Sequence, residues 1–179
     1  IKLGTWYPKN GMYAVVEGMY KLAKELGVKF EFNCNVTAIG ILNGKANTVQ
    51  AESGGLYEAD VVIGGADYHF IESKLLPKNY RTYSEKYWNK RLMAPSCLLY
   101  YVGINIKLQG VPHHSLFFDA DFEVHGKEIY TTRQWPTDPL FYLSVASVTD
   151  DTVAPAGCDN LVFLIPVAAA GAVTDLAAR

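Results

Sequence analysis

The run Val61-Val62-Ile63 constrains the fold of this chain more than any other stretch. Its three residues are aliphatic in succession, whereas a strand with one face in water alternates apolar and polar side chains. Because an all-apolar strand is typical of a sheet covered on both faces, the run predicts a layered α/β fold. The strand ends on Gly64-Gly65, which indicates either a tight turn or a place where something approaches the backbone too closely for a Cβ atom.

The composition is typical of a folded domain. Of the 179 residues, 50% are hydrophobic and 19% are charged, which argues against disorder. The net charge is −2 and no basic run stands out, so nucleic-acid binding and a polybasic membrane contact lack electrostatic support. The cysteines Cys34, Cys97 and Cys158 lie far apart, which argues against a disulfide scaffold or zinc site and favours a reducing cytoplasm.

The first third of the chain predicts a helix, a strand and a hairpin. Apolar residues recur with helical spacing from Met12 to Leu26, and Gly27 is placed to end this helix. Apolar and polar residues then alternate over residues 28–33, which predicts a strand. The pair Asn43-Gly44 is favoured in type I′ turns and predicts a hairpin of residues 36–42 and 46–53.

The remainder predicts a largely antiparallel sheet. A short helix is expected from Asp67 to Leu76, followed by an exposed loop or helix over residues 79–91. Strand-like runs follow, with a turn-rich loop at residues 149–160, and they lie at residues 97–104, 116–118, 140–148 and 161–167. The fold class predicted is therefore mixed α/β (α+β), divided into a first region, 1–78, and a second region, 79–179.

No residue pattern forms a catalytic or metal constellation, and no catalytic residue or metal ligand is assigned. Neither GxGxxG nor GxxxxGK[ST] occurs. His113-His114 is predicted at the start of a strand, where neighbouring side chains face opposite sides and cannot share a metal. The acidic residues of segment 119–123 and the pair Asp150-Asp151 are predicted to be solvated, and Cys97 is predicted to be buried.

Aromatic side chains make up 13% of the chain, including the pairs Trp6-Tyr7 and Tyr100-Tyr101. Core packing explains most of them. The alternative is an apolar channel, or a surface patch that meets lipid or a long hydrocarbon. Composition does not separate the two explanations.

Three stretches carry a resemblance to a known family: GTWYPKNGMYAVVEGMYKLAKELGVKFEFNCNVTAI, EADVVIGGADYHF and APSCLLYYVGIN. In this order they resemble the bacterial-type phytoene desaturases, FAD-dependent carotenoid enzymes of the amine-oxidase-like flavoprotein group. The similarity runs from Gly4 to about Ala168 and is specific as a set. Asn10-Gly11 stands where the family commonly has two glycines. The family's upstream dinucleotide-binding unit and its C-terminal segment are absent from this sequence.

The resemblance implies an FAD cofactor. In this fold the strand equivalent to residues 60–63 returns to the cofactor domain, and its glycine-rich end passes close to the flavin nucleotide. The residues assigned to the cofactor are therefore Gly64, Gly65, Ala66 and Asp67, together with the backbone of Val36, which would pair with adenine. The candidate lining of an apolar substrate channel is Trp6, Tyr7, Tyr13, Tyr100 and Tyr101.

The implied reaction removes hydrogen from a phytoene-like C40 polyene in carotenoid biosynthesis, with a hydride passing to FAD and a proton leaving the neighbouring carbon. The alternatives are a related carotenoid or retinoid redox enzyme, or a module that only binds apolar ligand. The expected partners are the polyene, a peripheral membrane contact and a second copy of the chain, in the cytoplasm. The first residue is not Met and residues 168–179 are helix-like, which predicts that the chain is a piece of a longer protein. Such a piece is expected to be inactive in isolation and to self-associate.

Overall fold

The computed structural model describes residue 4 and residues 6–169. It contains two compact units: one comprises the residues up to Val28 and those from Met93 onward, and the other comprises Lys29–Leu92. Helices accompany two antiparallel sheets, which confirms the mixed α/β class. The boundaries of these two units differ from those of the predicted regions 1–78 and 79–179. The division of the chain into those two regions stays a prediction. The helix predicted over residues 168–179 lies almost wholly outside the described residues.

The described residues form four α-helices and seven strands. In chain order the helices are α1 (Tyr13–Glu25), α2 (Tyr68–Phe70), α3 (Glu85–Lys90) and α4 (Phe122–Lys127), and the strands are β1 (Val36–Leu42), β2 (Lys45–Ala51), β3 (Leu56–Glu58), β4 (Ser96–Ile104), β5 (His114–Phe117), β6 (Phe141–Ser144) and β7 (Asp159–Val167). The π-helical segments Ile71–Leu75 and Glu128–Thr132 continue α2 and α4, and 3₁₀ turns lie at Lys78–Tyr80, Ala146–Val148 and Asp151–Val153. Over this part of the chain, no helix is long and apolar enough to cross a membrane.

Helix α1 ends as its sequence predicts. Gly27 has a φ of +86°, a left-handed conformation that glycine adopts without steric cost. The Gly27 amide donates to the carbonyl of Lys24, and the Val28 amide donates to the carbonyl of Ala23. These two bonds form a Schellman motif, which satisfies carbonyls that the end of the helix leaves open.

The Lys29–Leu92 unit contains the predicted hairpin. Strands β1 and β2 pair antiparallel, with β3 on the outer side of β2. Asn43 and Gly44 have φ values of 51° and 77°, as a type I′ turn requires. Within the ladder Gly40 faces Thr48, and a Cβ atom on Gly40 would lie only 2.0 Å from the Thr48 hydroxyl oxygen. The glycine is therefore required by close packing across the two strands.

Two predicted strands are absent. Residues 28–33 and 61–63 carry no strand pairing, and the side chains of Val61 and Ile63 are 72% and 89% exposed. A strand needs a neighbouring strand to pair its backbone groups, and a strand with two apolar faces, as predicted for residues 61–63, also needs covering layers. The described residues supply no pairing strand to either segment, so the apolar pattern was not sufficient to form a strand.

The other unit is built on a four-stranded antiparallel sheet in the order β4-β7-β6-β5. The antiparallel arrangement predicted for this half of the chain is confirmed. β7 pairs along its whole length with β4, from Ser96↔Val167 to Ile104↔Asp159. The buried side chains of Leu143, Val145 and Leu161 form the core of this unit.

The acidic residues of segment 119–123 are exposed to solvent as predicted, and the Asp121 carboxylate also accepts hydrogen bonds from the Glu123 and Val124 amides and caps α4. Three other local predictions are wrong in this unit. Cys97, on the edge strand β4, is exposed. Asp150 is buried rather than solvated, whereas Asp151 is exposed as predicted. The rings of His113 and His114 do not face opposite sides, because His113 lies just before β5 and their centroids are 4.2 Å apart.

Candidate functional site

An aromatic–histidine cleft of about 580 Å³ lies in the sheet-containing unit. Its polar and charged lining comes from three segments that are far apart in sequence. Residues before α1 contribute Trp6, Tyr7 and Lys9, the start of β5 contributes His113 and His114, and the loop after β6 contributes Thr149, Asp150 and Asp151. Its volume is within the range of small-molecule sites.

His113 is oriented at the wall of this cleft by Thr149. The Thr149 hydroxyl forms a hydrogen bond with His113 Nδ1 and also lies 3.3 Å from the carbonyl oxygen of Ala146. The other ring nitrogen, Nε2, is covered from solvent and has no hydrogen-bond partner among the described residues. Buried polar atoms without partners are uncommon and are often retained for function.

Aromatic contacts surround this imidazole. The ring of Tyr7 meets His113 edge-on, with centroids 4.7 Å apart. His114 stacks on the other side and is fixed by a hydrogen bond of 2.5 Å between its Nδ1 and the Tyr142 hydroxyl. The pair of imidazoles is therefore oriented from both ends, by Thr149 and by Tyr142.

Asp150 connects the segment before α1 to the loop after β6. Its carboxylate accepts hydrogen bonds from the Asn10 amide at 2.7 Å, from the Thr152 amide at 3.0 Å and from the Thr152 hydroxyl at 2.6 Å. Gly11, next to Asn10, has a φ of +87° and is buried. Because the Asn10 contact fixes the chain shortly after Tyr7, Asp150 acts as a positioning residue for this side of the cleft.

The cleft shifts the protonation of its own groups. Burial, followed by the charge of His114, lowers the pKa of His113, so its ring is neutral near pH 7. Burial, followed by the charge of Asp150, raises the pKa of Tyr7 and keeps its hydroxyl protonated. Hydrogen bonds from Thr152 lower the pKa of Asp150, which stays ionised. The cleft thus combines aromatic walls, a neutral imidazole and a single buried carboxylate.

An apolar cavity of about 300 Å³ lies in the same unit, where α4 covers the sheet. Its apolar walls include Leu116, Phe118, Phe122, Ile129 and Leu164. The polar side chain of His125 is satisfied within the protein, because its Nε2 bonds to the Pro166 carbonyl and its Nδ1 accepts from the Leu140 amide. The lining offers hydrophobic contact and suits an apolar group.

The glycine-rich segment after β3 offers a different kind of surface. Neither Gly64 nor Gly65 has a positive φ, so their conformation does not require glycine. A Cβ atom on Gly64 would lie 2.6 Å from Ile71 Cδ1, which explains that glycine by packing within the chain. A Cβ atom on Gly65 would meet nothing within 4 Å. The described residues therefore give no reason for glycine at position 65, and its backbone is open to approach.

The neighbouring residues assigned to the cofactor have identifiable structural environments. Asp67 accepts a hydrogen bond from the Phe70 amide at 2.9 Å and caps α2, while Ala66 is exposed. Val36 begins β1, and the register of the β1–β2 ladder shifts between Val36 and Ala38. Val36 and segment 64–67 all belong to the Lys29–Leu92 unit. An open glycine backbone is compatible with a nucleotide, so this segment fits the group predicted from the sequence.

The structure brings only part of the predicted channel lining together. Trp6 and Tyr7 both line the aromatic–histidine cleft. Tyr13 lies on α1 and is exposed, while Tyr100 and Tyr101 are exposed on the edge strand β4, and none of the three lines the cleft or the apolar cavity. Sequence reasoning missed His113, Thr149 and Asp150 as residues that line the same cleft as Tyr7. No local motif connects them, because contact between distant segments creates the cleft.

Comparison with known proteins agrees with the sequence motifs. Residues 2–90 match the family described as flavin containing amine oxidoreductase. The chain is 39% identical over 166 residues to a carotenoid 3,4-desaturase of Haloarcula japonica, which covers 93% of this chain and 33% of that protein. It is 33% identical over 165 residues to a zeta-carotene-forming phytoene desaturase of Myxococcus xanthus, covering 92% of this chain and 31% of that protein. It is 31% identical over 173 residues to a phytoene desaturase of Neurospora crassa, and this match covers 92% of this chain and 29% of that protein.

The part of the chain that matches, residues 2–90, is therefore similar to the flavin containing amine oxidoreductase class. Within that class, the chain is a relative of the carotenoid and phytoene desaturases, which confirms the resemblance read from the sequence. The chain spans about a third of the length of these curated relatives. Over the described residues, no group of three or more His, Cys, Asp or Glu side chains is arranged to hold a metal ion.

Proposed function

We propose that this chain is part of an FAD-dependent oxidoreductase that removes hydrogen from a carotenoid and leaves a new carbon–carbon double bond. The observation that carries the proposal is the similarity over about nine-tenths of the chain to proteins named as carotenoid and phytoene desaturases. The family of residues 2–90 supports a flavin as the cofactor.

When bound, FAD would supply the acceptor for the hydride that leaves the substrate. The chain's own contribution is to hold the nucleotide. The backbone around Gly65 is free of side-chain obstruction, and Val36 offers backbone groups at the start of β1. Backbone donors and acceptors can bind a nucleotide without a charged side chain, which is consistent with the lack of a titratable motif in this region.

The sheet-containing unit would hold apolar substrate. The apolar cavity beside α4 removes hydrocarbon from water, while the aromatic rings of Trp6 and Tyr7 orient an extended chain at the cleft. His113 keeps a neutral imidazole at the wall, and Asp150 fixes the segment that follows Tyr7. These residues position and desolvate the substrate, and hydride transfer is the cofactor's chemistry.

The substrate is a finer proposal. Of the relatives compared above, the one with the highest identity is named for 3,4-desaturation of a carotenoid and the others for phytoene. We therefore favour a carotenoid whose end group is saturated at the 3,4 position, with phytoene as the second candidate.

The proposal also includes a cytoplasmic location with peripheral membrane contact, and self-association. Supporting this, α1 has no buried residue, and its exposed apolar side chains include Val16, Met19 and Leu22. Apolar surface of this kind favours association with lipid or protein. Flotation with lipid vesicles and light scattering of the full-length protein test these two points.

Turnover of the full-length protein tests the main proposal. The purified protein, loaded with FAD, is supplied with lipid-dispersed phytoene or with a carotenoid saturated at 3,4, and products are followed by absorbance and chromatography. A longer conjugated product from either substrate supports carotenoid desaturation, and the preferred substrate identifies the reaction. Saturable flavin binding with no product from either substrate would overturn the carotenoid assignment while leaving the flavoprotein assignment in place. Absence of flavin binding would overturn both.

A further inference from the structure

A second cleft, of about 560 Å³, lies within the Lys29–Leu92 unit and has a different chemical character. We call it the basic cleft. Its lining comes from the π-helical segment after α2, from the loop that follows and from α3, and consists of Ser73, Lys78, Arg81, Thr82, Tyr83, Ser84, Glu85, Lys86 and Trp88. Three of these side chains are cationic and one is acidic, in a protein whose overall charge is −2.

The cations of the basic cleft are not neutralised within the protein. Among the described residues, none of Lys78, Arg81 and Lys86 forms an ion pair with a carboxylate. The Arg81 Nε atom donates to the Leu76 carbonyl at 3.0 Å, which orients the guanidinium, and its terminal nitrogens have no hydrogen-bond partner in the described part of the chain. Unpaired cations that line one concave surface attract an anion.

Glu72 fixes the wall of the basic cleft from behind. Its buried carboxylate accepts hydrogen bonds from the Thr82 and Tyr83 amides and from Trp88 Nε1 at 3.2 Å. The Tyr68 hydroxyl donates to the same carboxylate at 3.5 Å. Because these donors satisfy the Glu72 charge, the loop and α3 are held in place without consuming any cation of the cleft.

One lining residue of the cleft carries an unsatisfied hydroxyl. Ser73 Oγ is shielded from solvent and has no hydrogen-bond partner among the described residues, although Ser73 lines the cleft. A serine hydroxyl donates readily to an anionic oxygen, as do a guanidinium and an ammonium group. The donors of the basic cleft therefore suit a group with several negatively charged oxygens.

We propose that the basic cleft binds a phosphate group, carried either by a phospholipid headgroup or by a small soluble phosphate. Arg81 supplies paired N–H donors, Lys78 and Lys86 supply charge, and the Ser73 hydroxyl completes the set. The exposed rings of Tyr80 and Tyr83 beside these cations favour the lipid headgroup, since tyrosine and lysine are common at membrane interfaces. None of the residues that line the basic cleft is among those assigned above to the flavin or the carotenoid.

A binding experiment with a matched pair of variants tests this site. The full-length, FAD-loaded protein is titrated with inorganic phosphate and with diphosphate by calorimetry, and is floated with phosphatidylcholine vesicles with and without phosphatidic acid. Lys86→Gln removes a cation of the cleft, whereas Lys90→Gln makes the same charge change on the same helix at a residue outside the cleft lining. FAD occupancy and the thermal midpoint of each variant show that folding and the flavin site are intact.

The expected result is that Lys86→Gln weakens binding at least fivefold while Lys90→Gln changes it by less than twofold. Binding of soluble phosphate identifies a free phosphate ligand, and binding only to vesicles with phosphatidic acid identifies a headgroup. An equal loss of binding affinity in both variants would assign the effect to the general charge of the segment and would overturn the proposed site. No saturable binding of phosphate, diphosphate or phosphatidic acid would overturn it as well.

Discussion

The adjacent glycines Gly64 and Gly65 should respond in opposite ways to the same substitution. Gly64→Ala places a methyl group 2.6 Å from Ile71 Cδ1, about 1 Å closer than ordinary van der Waals contact allows. Gly65→Ala places a methyl group where no protein atom lies within 4 Å. Because both residues have a φ that alanine also adopts, only the neighbourhood of the new methyl group differs.

The two changes therefore have different expected costs in stability. At position 64 the end of the Ile71 side chain must move, and overpacking of this kind costs about 1–3 kcal/mol, with the low end expected for a mobile chain end. At position 65 the alanine restricts the unfolded chain without a clash, which stabilises by about 0.4–1 kcal/mol. If the flavin nucleotide approaches the backbone at Gly65, the same alanine should raise the dissociation constant of FAD at least tenfold, which is equivalent to about 1.4 kcal/mol of binding free energy.

The assay pairs two measurements on the full-length protein. Urea unfolding of the flavin-free form gives the free energy of unfolding, and a fluorescence titration with FAD gives its dissociation constant. The expected outcome is lower stability for Gly64→Ala, and unchanged or higher stability with weaker FAD binding for Gly65→Ala. Unchanged FAD affinity in Gly65→Ala would refute the assignment of this backbone to the cofactor. A loss of stability in that variant would refute the packing analysis.

Three further predictions concern the two sheets. Val145→Ala should lower the free energy of unfolding by about 2–3 kcal/mol in urea, because it removes two methyl groups from a fully buried core position. Asp159 has a pKa of about 2, lowered first by the Lys107 hydrogen bond, so its stabilisation is present above its ordinary value of 3.8 and is lost as pH falls toward 2. Asp159→Asn should therefore flatten the acid side of the stability profile measured by thermal unfolding. Gly40→Ala should cost about 1–3 kcal/mol in urea, because its new Cβ atom meets the Thr48 hydroxyl.

Each of these predictions has a control within the chain. The control for Val145 is Val148, which is exposed and lies three residues further along the chain. Val148→Ala should change the free energy of unfolding by less than about 0.5 kcal/mol. Asp151→Asn makes the same chemical change at an exposed position and is the control for Asp159→Asn. In a Thr48→Ala background, the cost of Gly40→Ala should fall by more than half. Each expectation has an outcome that would contradict it. For the core position, it is an equal loss of stability when Val145 and Val148 are replaced by alanine. For the carboxylate it is an unaltered acid profile in Asp159→Asn, and for the glycine it is strict additivity of the changes at Gly40 and Thr48.

Local physical chemistry made several elements predictable from the sequence. The helical spacing before Gly27 specifies both α1 and its end, because a left-handed residue after a helix favours glycine. Asn43-Gly44 specifies the β1–β2 turn, since both residues must adopt positive φ. The motifs in order also identified the flavin-containing class, which the comparisons confirm.

The sequence by itself thus determined the elements whose stability is local, together with the class of the protein. Only the tertiary structure decided which strands are paired, and residues 61–63 stay unpaired because a two-sided apolar strand depends on neighbours that the described residues lack. It also decided the aromatic–histidine cleft, since a site of this kind is made by contacts between side chains from segments far apart in the sequence. The hydrogen bond from the Asn10 amide to Asp150 joins residues 140 positions apart. No periodicity or short motif encodes a contact at that separation.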